Sequence, residues 1–146
     1  NKMLDKGVNV GLGVDGSASN DSGNLLNEAR QALYLQRVNE TNNFYLNARN
    51  ALWLSTAGGA TALNRDDIGS IKIGNCADFA IYDSTSLELA GSVEDPLGGL
   101  IFCGPLKTRW TICNGQIISE NNNIKNISIE DTINQHNSLS KKLINS

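Results

Sequence analysis

Histidine is the scarcest reactive side chain in this sequence: 146 residues contain one, His136. No ligand-type residue stands three or four places beyond it, so it reads as a surface or capping residue rather than half of a metal pair. Cysteine is nearly as rare. Cys76, Cys103 and Cys113 include no C-x-x-C pair, which excludes a zinc knuckle, and they read as small buried hydrophobes. An odd cysteine number behind a start without signal-peptide character points to a reducing, cytoplasmic setting. The 12 Lys and Arg against 15 Asp and Glu give a net charge of −3 with the signs mixed, so there is no basic stripe for nucleic acid. No apolar run approaches the roughly 20 residues of a membrane-spanning helix.

What the sequence has instead is one stretch that changes character abruptly. Val8, Val10, Leu12 and Val14 alternate with Asn9, Gly11 and Gly13, a period of two that predicts a buried β-strand. Asp15 comes directly after, and Gly16, Ser17 and Ser19 lead on toward a helix. A carboxylate at the C-terminal end of a buried strand is how parallel α/β enzymes meet substrate, because their sites collect where the strands end. Asp15 is therefore the candidate for metal binding or acid/base work, and Asp21, closer to the helix, is the candidate cap. The run from Gly11 to Gly16 also fits G-x-G-x-x-G, the dinucleotide-binding fingerprint. That alternative puts two of the three glycines inside the strand and Asp15 beside the phosphates, where it repels them, and no second βαβ unit follows.

Residues 22–38 predict a helix with Leu25, Leu26, Ala29, Ala32, Leu33 and Leu35 as its apolar stripe. A polar turn is expected over 39–43, then a second helix from Asn47, its cap, with Ala48, Ala51, Leu52 and Leu54 facing inward. Gly58 and Gly59 are expected to stop or kink it before a short last turn over 60–63, and Tyr34 and Trp53 read as core aromatics. Beyond Arg65, glycine-punctuated apolar runs such as 78–82 and 109–113 read as strands, and Asn114-Gly115 predicts a hairpin. Asp95 and Pro96 mark the cap and first residue of a short helix through Phe102. A polar turn over 120–123 and the S-x-x-D start at Ser128 predict a terminal helix to about Ile144, with Ile129, Ile133, Leu139 and Leu143 apolar.

The stretch from Val10 to Ser22, with Asn24-Leu-Leu26 and Ala29-Arg-Gln-Ala32 beyond it, resembles the eighth barrel strand and following helix of the amidohydrolase superfamily. Within it, the 8-oxoguanine deaminase branch of the purine and triazine aminohydrolases is most similar. Thr56-Ala-Gly-Gly-Ala60, Asp67-Ile-Gly-Ser-Ile71, Gly74-Asn-Cys-Ala-Asp-Phe-Ala80 and Asp95-Pro-Leu-Gly-Gly-Leu-Ile-Phe-Cys103 resemble the C-terminal part of the same enzymes, in the same order.

The resemblance implies an α/β to α+β fragment. Residues 1–64 would be the last strand and helices of a metal-dependent TIM barrel, 65–119 the C-terminal part of a small β-sandwich, and 120–146 a C-terminal helix. A complete barrel takes about 250 residues, so the chain is expected to be the C-terminal part of a larger enzyme. Sandwich edges left open would be exposed or paired with another copy, which implies a homo-oligomer.

The activity implied is hydrolytic deamination of a small nucleobase-like ring in purine metabolism, with 8-oxoguanine favoured. Asp15 would be both metal ligand and base, taking a proton from the attacking water, while a glutamate and a histidine from strands outside this chain assist the departure of ammonia. Gly16, Ser17 and Ser19 would line the substrate. The implied cofactor is a divalent metal, zinc, with iron as the alternative. A catalytic zinc usually has three protein ligands, and one carboxylate does not supply them, so the chain alone is expected to be inactive and to hold metal weakly or not at all. A non-catalytic, self-associating module is the alternative from a different class.

Overall fold

The computed structural model describes residues 2–16, 19–39 and 46–145. They group into two units, one of residues up to 76 with 83–106, the other of 77–82 with residues from 107 onward. The segment 65–119 thus contributes to both. Among the described residues, no helix is long and apolar enough to cross a membrane.

The first unit is helical. Helix α1 spans Leu25–Asn39, α2 Ala48–Leu54, α3 Ala57–Ala62 and α4 Pro96–Phe102. Ala29 and Leu33 of α1 are fully buried against Ala51 and Leu54 of α2, Leu46, and Ile101 of α4, with Val10, Leu12 and Leu26 packed around them. Truncating a leucine in such a core costs about 2–5 kcal/mol. The Arg30 Nε donates to the Ile101 carbonyl at 2.8 Å and so ties α1 to the end of α4.

Helix starts obey local chemistry. The Asn47 side chain accepts from the Asn50 amide and Asn50 returns the bond, a reciprocal cap, and Asp95 accepts from the Gly98 amide with Pro96 in the first turn, as expected. Asp21 does not cap α1. Asn24 does, accepting from the amides of Leu26 and Asn27, because Gly23 at φ 53 keeps 22–24 in a turn and delays the helix. The stripe also has limits: Leu35 is 55% exposed, Tyr34 50% and Trp53 44%, so none is a core residue. Tyr34 instead meets Phe102 at 6.0 Å between ring centroids, and Arg37 lies over the same Phe102 ring. The cysteines are not buried either: Cys103 ends α4, Cys113 ends a strand at a turn, and both are exposed.

The segment 8–14 departs from its expected form. Among the described residues no strand pairs with it, and Val8 is 48% exposed. A ladder needs a neighbouring strand. Val10 and Leu12 are instead held by the helices, with the Leu12 amide donating to the Leu54 carbonyl at 3.0 Å. Glycine makes the approach possible: a Cβ on Gly11 would stand 2.7 Å from the Gly59 Cα, and one on Gly58 2.8 Å from the Val10 carbonyl. Gly58 and Gly59 therefore do not stop a helix; they lie inside α3, where backbone meets backbone.

After α3 the chain is clasped by an ion pair. Arg65 binds Asp67 through both carboxylate oxygens, at 2.5 and 2.7 Å, while the Cys76 amide donates to the Asp67 carbonyl and the Cys76 thiol to its carboxylate. The Arg65 hydrogen bond is the main cause that holds the Asp67 carboxyl at about 2.

The second unit is a four-stranded antiparallel sheet in the order β1 Phe79–Ile81, β2 Trp110–Cys113, β3 Gln116–Glu120 and β4 Asn123–Ile124, with α5, Ile129–Ile144, after it. Asn114 and Gly115, at φ 47 and 77, close the β2–β3 hairpin as a type I′ turn, and the Asn114 amide donates to Asp78 at 2.7 Å. Asn121 and Asn122, at φ 47 and 68, repeat the device, so the expected polar turn also generates β4. Ser128 caps α5 by accepting from the Asp131 amide. None of the residues of α5 is buried, and its apolar positions Ile129, Ile133, Leu139 and Leu143 are all exposed.

Two outcomes test this packing. Gly11→Ala is expected to lower unfolding stability by about 1–3 kcal/mol through overpacking against α3, read by urea denaturation; an unchanged midpoint would mean that the segment does not pack there. For Asp67, the depressed carboxyl contributes stability that is complete above the ordinary value of 3.8 and is lost as pH falls through about 2. Because the pair is exposed the contribution is small, so the check is a carboxyl titration by NMR. Its midpoint should rise toward 3.8 in Arg65→Met, and no movement would rule the arginine out as the cause.

Candidate functional site

Asp15 stands where the helix-packed segment leaves the core. Its backbone is left-handed, φ 63, a conformation that costs a non-glycine residue energy and that Asp tolerates through a local hydrogen bond. Here the carboxylate Oδ1 accepts from the Gly16 amide at 2.7 Å, and the side chain is exposed. Strained residues of this kind concentrate at sites where a side chain must be aimed. A Cβ at Gly16 would meet nothing within 4 Å among the described residues.

The turn after Asp15 is built by backbone bonds. The Gly16 carbonyl accepts from the amides of Ser19 and Asn20, at 2.8 and 3.0 Å. Gly16 and Ser19 are therefore brought together in one turn beside Asp15, while Ser17 lies outside the described residues, as does most of the turn expected over 39–43. Ser19 also borders an open cleft of about 650 Å³ with Asn20, Glu28, Arg30, Tyr34 and Pro105; Asp15 is not in its lining. A second open cleft, about 540 Å³, lies by Asn9 and is bordered by Thr61, Arg65 and Lys72.

Asn20 and Glu28 are not among the site residues expected from the sequence, yet they carry the side-chain bonds of this turn. The Asn20 Oδ1 accepts from the amides of Ser22 and Gly23 and from the Ser22 hydroxyl, and its Nδ2 donates to Glu28 Oε1 at 2.6 Å. An Asn shortly ahead of Ser-Gly is a turn signal that the sequence does offer. Its partner on α1, eight residues on, is not foreshadowed by any spacing rule.

The described residues do not by themselves fit a catalytic metal. Among the described residues no group of three His, Cys, Asp or Glu side chains is placed to hold one. Asp15 supplies one oxygen donor group, and His136 sits on exposed α5 in the other unit. The dinucleotide alternative also loses its footing, since Gly11 is used for contact with α3 rather than for a phosphate turn, and the segment joins no sheet among the described residues.

The amidohydrolase family matches residues 1–131. The chain is similar to 8-oxoguanine deaminase of Pseudomonas aeruginosa, 46% identical over 97 residues, covering 66% of this chain and 21% of that protein. It is 32% identical over 143 residues to 5'-deoxyadenosine deaminase of Methanosarcina acetivorans, covering 98% and 33% respectively. Its structure superposes on atrazine chlorohydrolase from Arthrobacter aurescens TC1, crystallised with zinc, with a TM-score of 0.86 and 35% identity over 94% of this chain and 31% of that one. The chain thus spans a fifth to a third of the length of the relatives it matches. By the match over residues 1–131, the chain belongs to the amidohydrolase family.

Proposed function

We propose that this chain is the C-terminal portion of an aminohydrolase that removes an exocyclic amino group from a purine-like ring by hydrolysis, with 8-oxoguanine as the favoured substrate. The observation that carries the reading is Asp15: an exposed carboxylate in a strained, hydrogen-bonded turn, at the end of the segment that the amidohydrolase match includes. Deaminases among the relatives support the reaction class, and the relative identical at 46% supports the substrate.

On this reading residues 8–14 are the last barrel strand, and the ladder that they lack among the described residues is completed by strands outside this chain; 65–119 add part of a β-sandwich and 120–146 the terminal helix. The divalent metal, zinc or alternatively iron, would be held by Asp15 together with residues that this chain does not contain, and when bound it would supply an acidified water for attack. The work of this chain is narrower. Asp15 accepts a proton from the attacking water, Gly16 leaves room for a flat ring, and Ser17 and Ser19 bond its edge. Alone, the chain is inactive. On the same reading the whole enzyme would work in the cytoplasm, as a homo-oligomer acting on a small molecule rather than on nucleic acid or at a membrane.

A second reading, a non-catalytic module that self-associates, is favoured by one observation, the row of exposed apolar side chains on α5. It expects a concentration-dependent oligomer with no metal.

The complete protein should release ammonia from 8-oxoguanine and lose that activity to a chelator. In it, Asp15→Asn is expected to lower kcat by at least about 10²–10⁴-fold, the range for a positioned acid/base group, measured by steady-state kinetics. Retained activity in Asp15→Asn would remove Asp15 from the mechanism.

A further inference from the structure

Among the described residues the Asp15 carboxylate is bonded locally, to the Gly16 amide, and yet a reacting carboxylate must be aimed closely. A continuous hydrogen-bonded chain leads from it to the core. Asp15 Oδ1 accepts from the Gly16 amide, the Gly16 carbonyl accepts from the amides of Ser19 and Asn20, and Asn20 Nδ2 donates to Glu28 Oε1 at 2.6 Å. Glu28 lies in the first turn of α1, next to fully buried Ala29, so it is attached to the packed centre of the first unit. The other end of the Asn20 side chain accepts three bonds from Ser22 and Gly23, which fixes its own orientation. A donor to a carboxylate makes a shorter and stronger bond than one to a neutral acceptor.

We infer that Asn20 and Glu28 form a clamp that positions Asp15, acting through the turn between them and touching neither water nor ring. The inference rests on the proposed role of Asp15 and adds two positioning residues to it. The bond crosses from the loop to the helix, so it sets the distance between the catalytic turn and the core in a way that bonds within the turn cannot.

The test uses the complete protein and three variants. Glu28→Ala removes the acceptor. Asn20→Asp keeps the acceptor oxygen for Ser22 and Gly23 but sets a second carboxylate against Glu28. Glu28→Gln retains an oxygen that accepts from Asn20. We expect Glu28→Ala and Asn20→Asp to lower kcat about 10- to 100-fold with KM within about threefold, and Glu28→Gln to stay within about threefold of wild type, since small misplacements of a reacting group cost up to about 10²-fold. Amide hydrogen exchange at Ser19, Asn20, Ser22 and Gly23 should quicken in the first two variants and not in the third. Unchanged kcat in Glu28→Ala, or an equal loss in Glu28→Gln, overturns the clamp. If the wild-type protein deaminates no aminated purine or triazine, the proposed function fails, and the clamp is judged on exchange alone: faster exchange in Glu28→Ala upholds it, unchanged exchange overturns it.

Discussion

The first unit depends on how closely one backbone segment approaches a helix. Gly11 lies against Gly59 so tightly that no side chain fits on it, and Gly58 meets the Val10 carbonyl in the same way. Close backbone approach of this kind replaces the interlocking of side chains with direct contact between main chains, which is possible only where Cβ atoms are absent. It lets Val10 and Leu12 reach the cluster around Leu33 and Ile101 although the described residues give the segment no strand beside it, and it delivers Asp15 at the edge of that cluster rather than within it.

Electrostatics are arranged around turns rather than within the core, where no polar or charged residue is buried among those described. Arg65 and Asp67 close a loop with Cys76 as a third partner, and Asn20 and Glu28 hold another. In each case a carboxylate on one side of a turn accepts from donors on the other, so the charge is satisfied at the surface without the desolvation that burial would impose. The apolar core can then stay simple and small.

What is legible in the sequence is what local chemistry decides. Asn47, Asp95 and Ser128 cap the helices they precede because a short polar side chain reaches an amide two or three residues on, and Asn114-Gly115 turns because both residues accept positive φ. Periodicity locates α1 but not its cover: Leu35 and Tyr34 lie close to Leu33 along the helix, and nothing in spacing says that the neighbouring helices bury Leu33 and leave those two half exposed. The pattern at 8–14 is apolar and alternating, as a strand should be, but a ladder is a property of two segments and cannot be formed by one. Of the candidate site, Asp15 is readable from its place after an apolar run. The Asn20–Glu28 bond is not, since it joins a loop to a helix across eight residues with no fixed geometry between them.

Among the described residues, none buries a side chain of helix α5. With none of its 16 residues buried, its order comes from the Ser128 cap, from Glu130 and Asp131 near its positive end, and from Lys141 and Lys142 near its negative end. Those terms together amount to a few kcal/mol at most, close to the cost of starting a helix in water. A helix held by those terms alone would equilibrate with coil on its own account, fray at both ends on the microsecond scale, and melt gradually with temperature and salt rather than in the cooperative transition of packed helices.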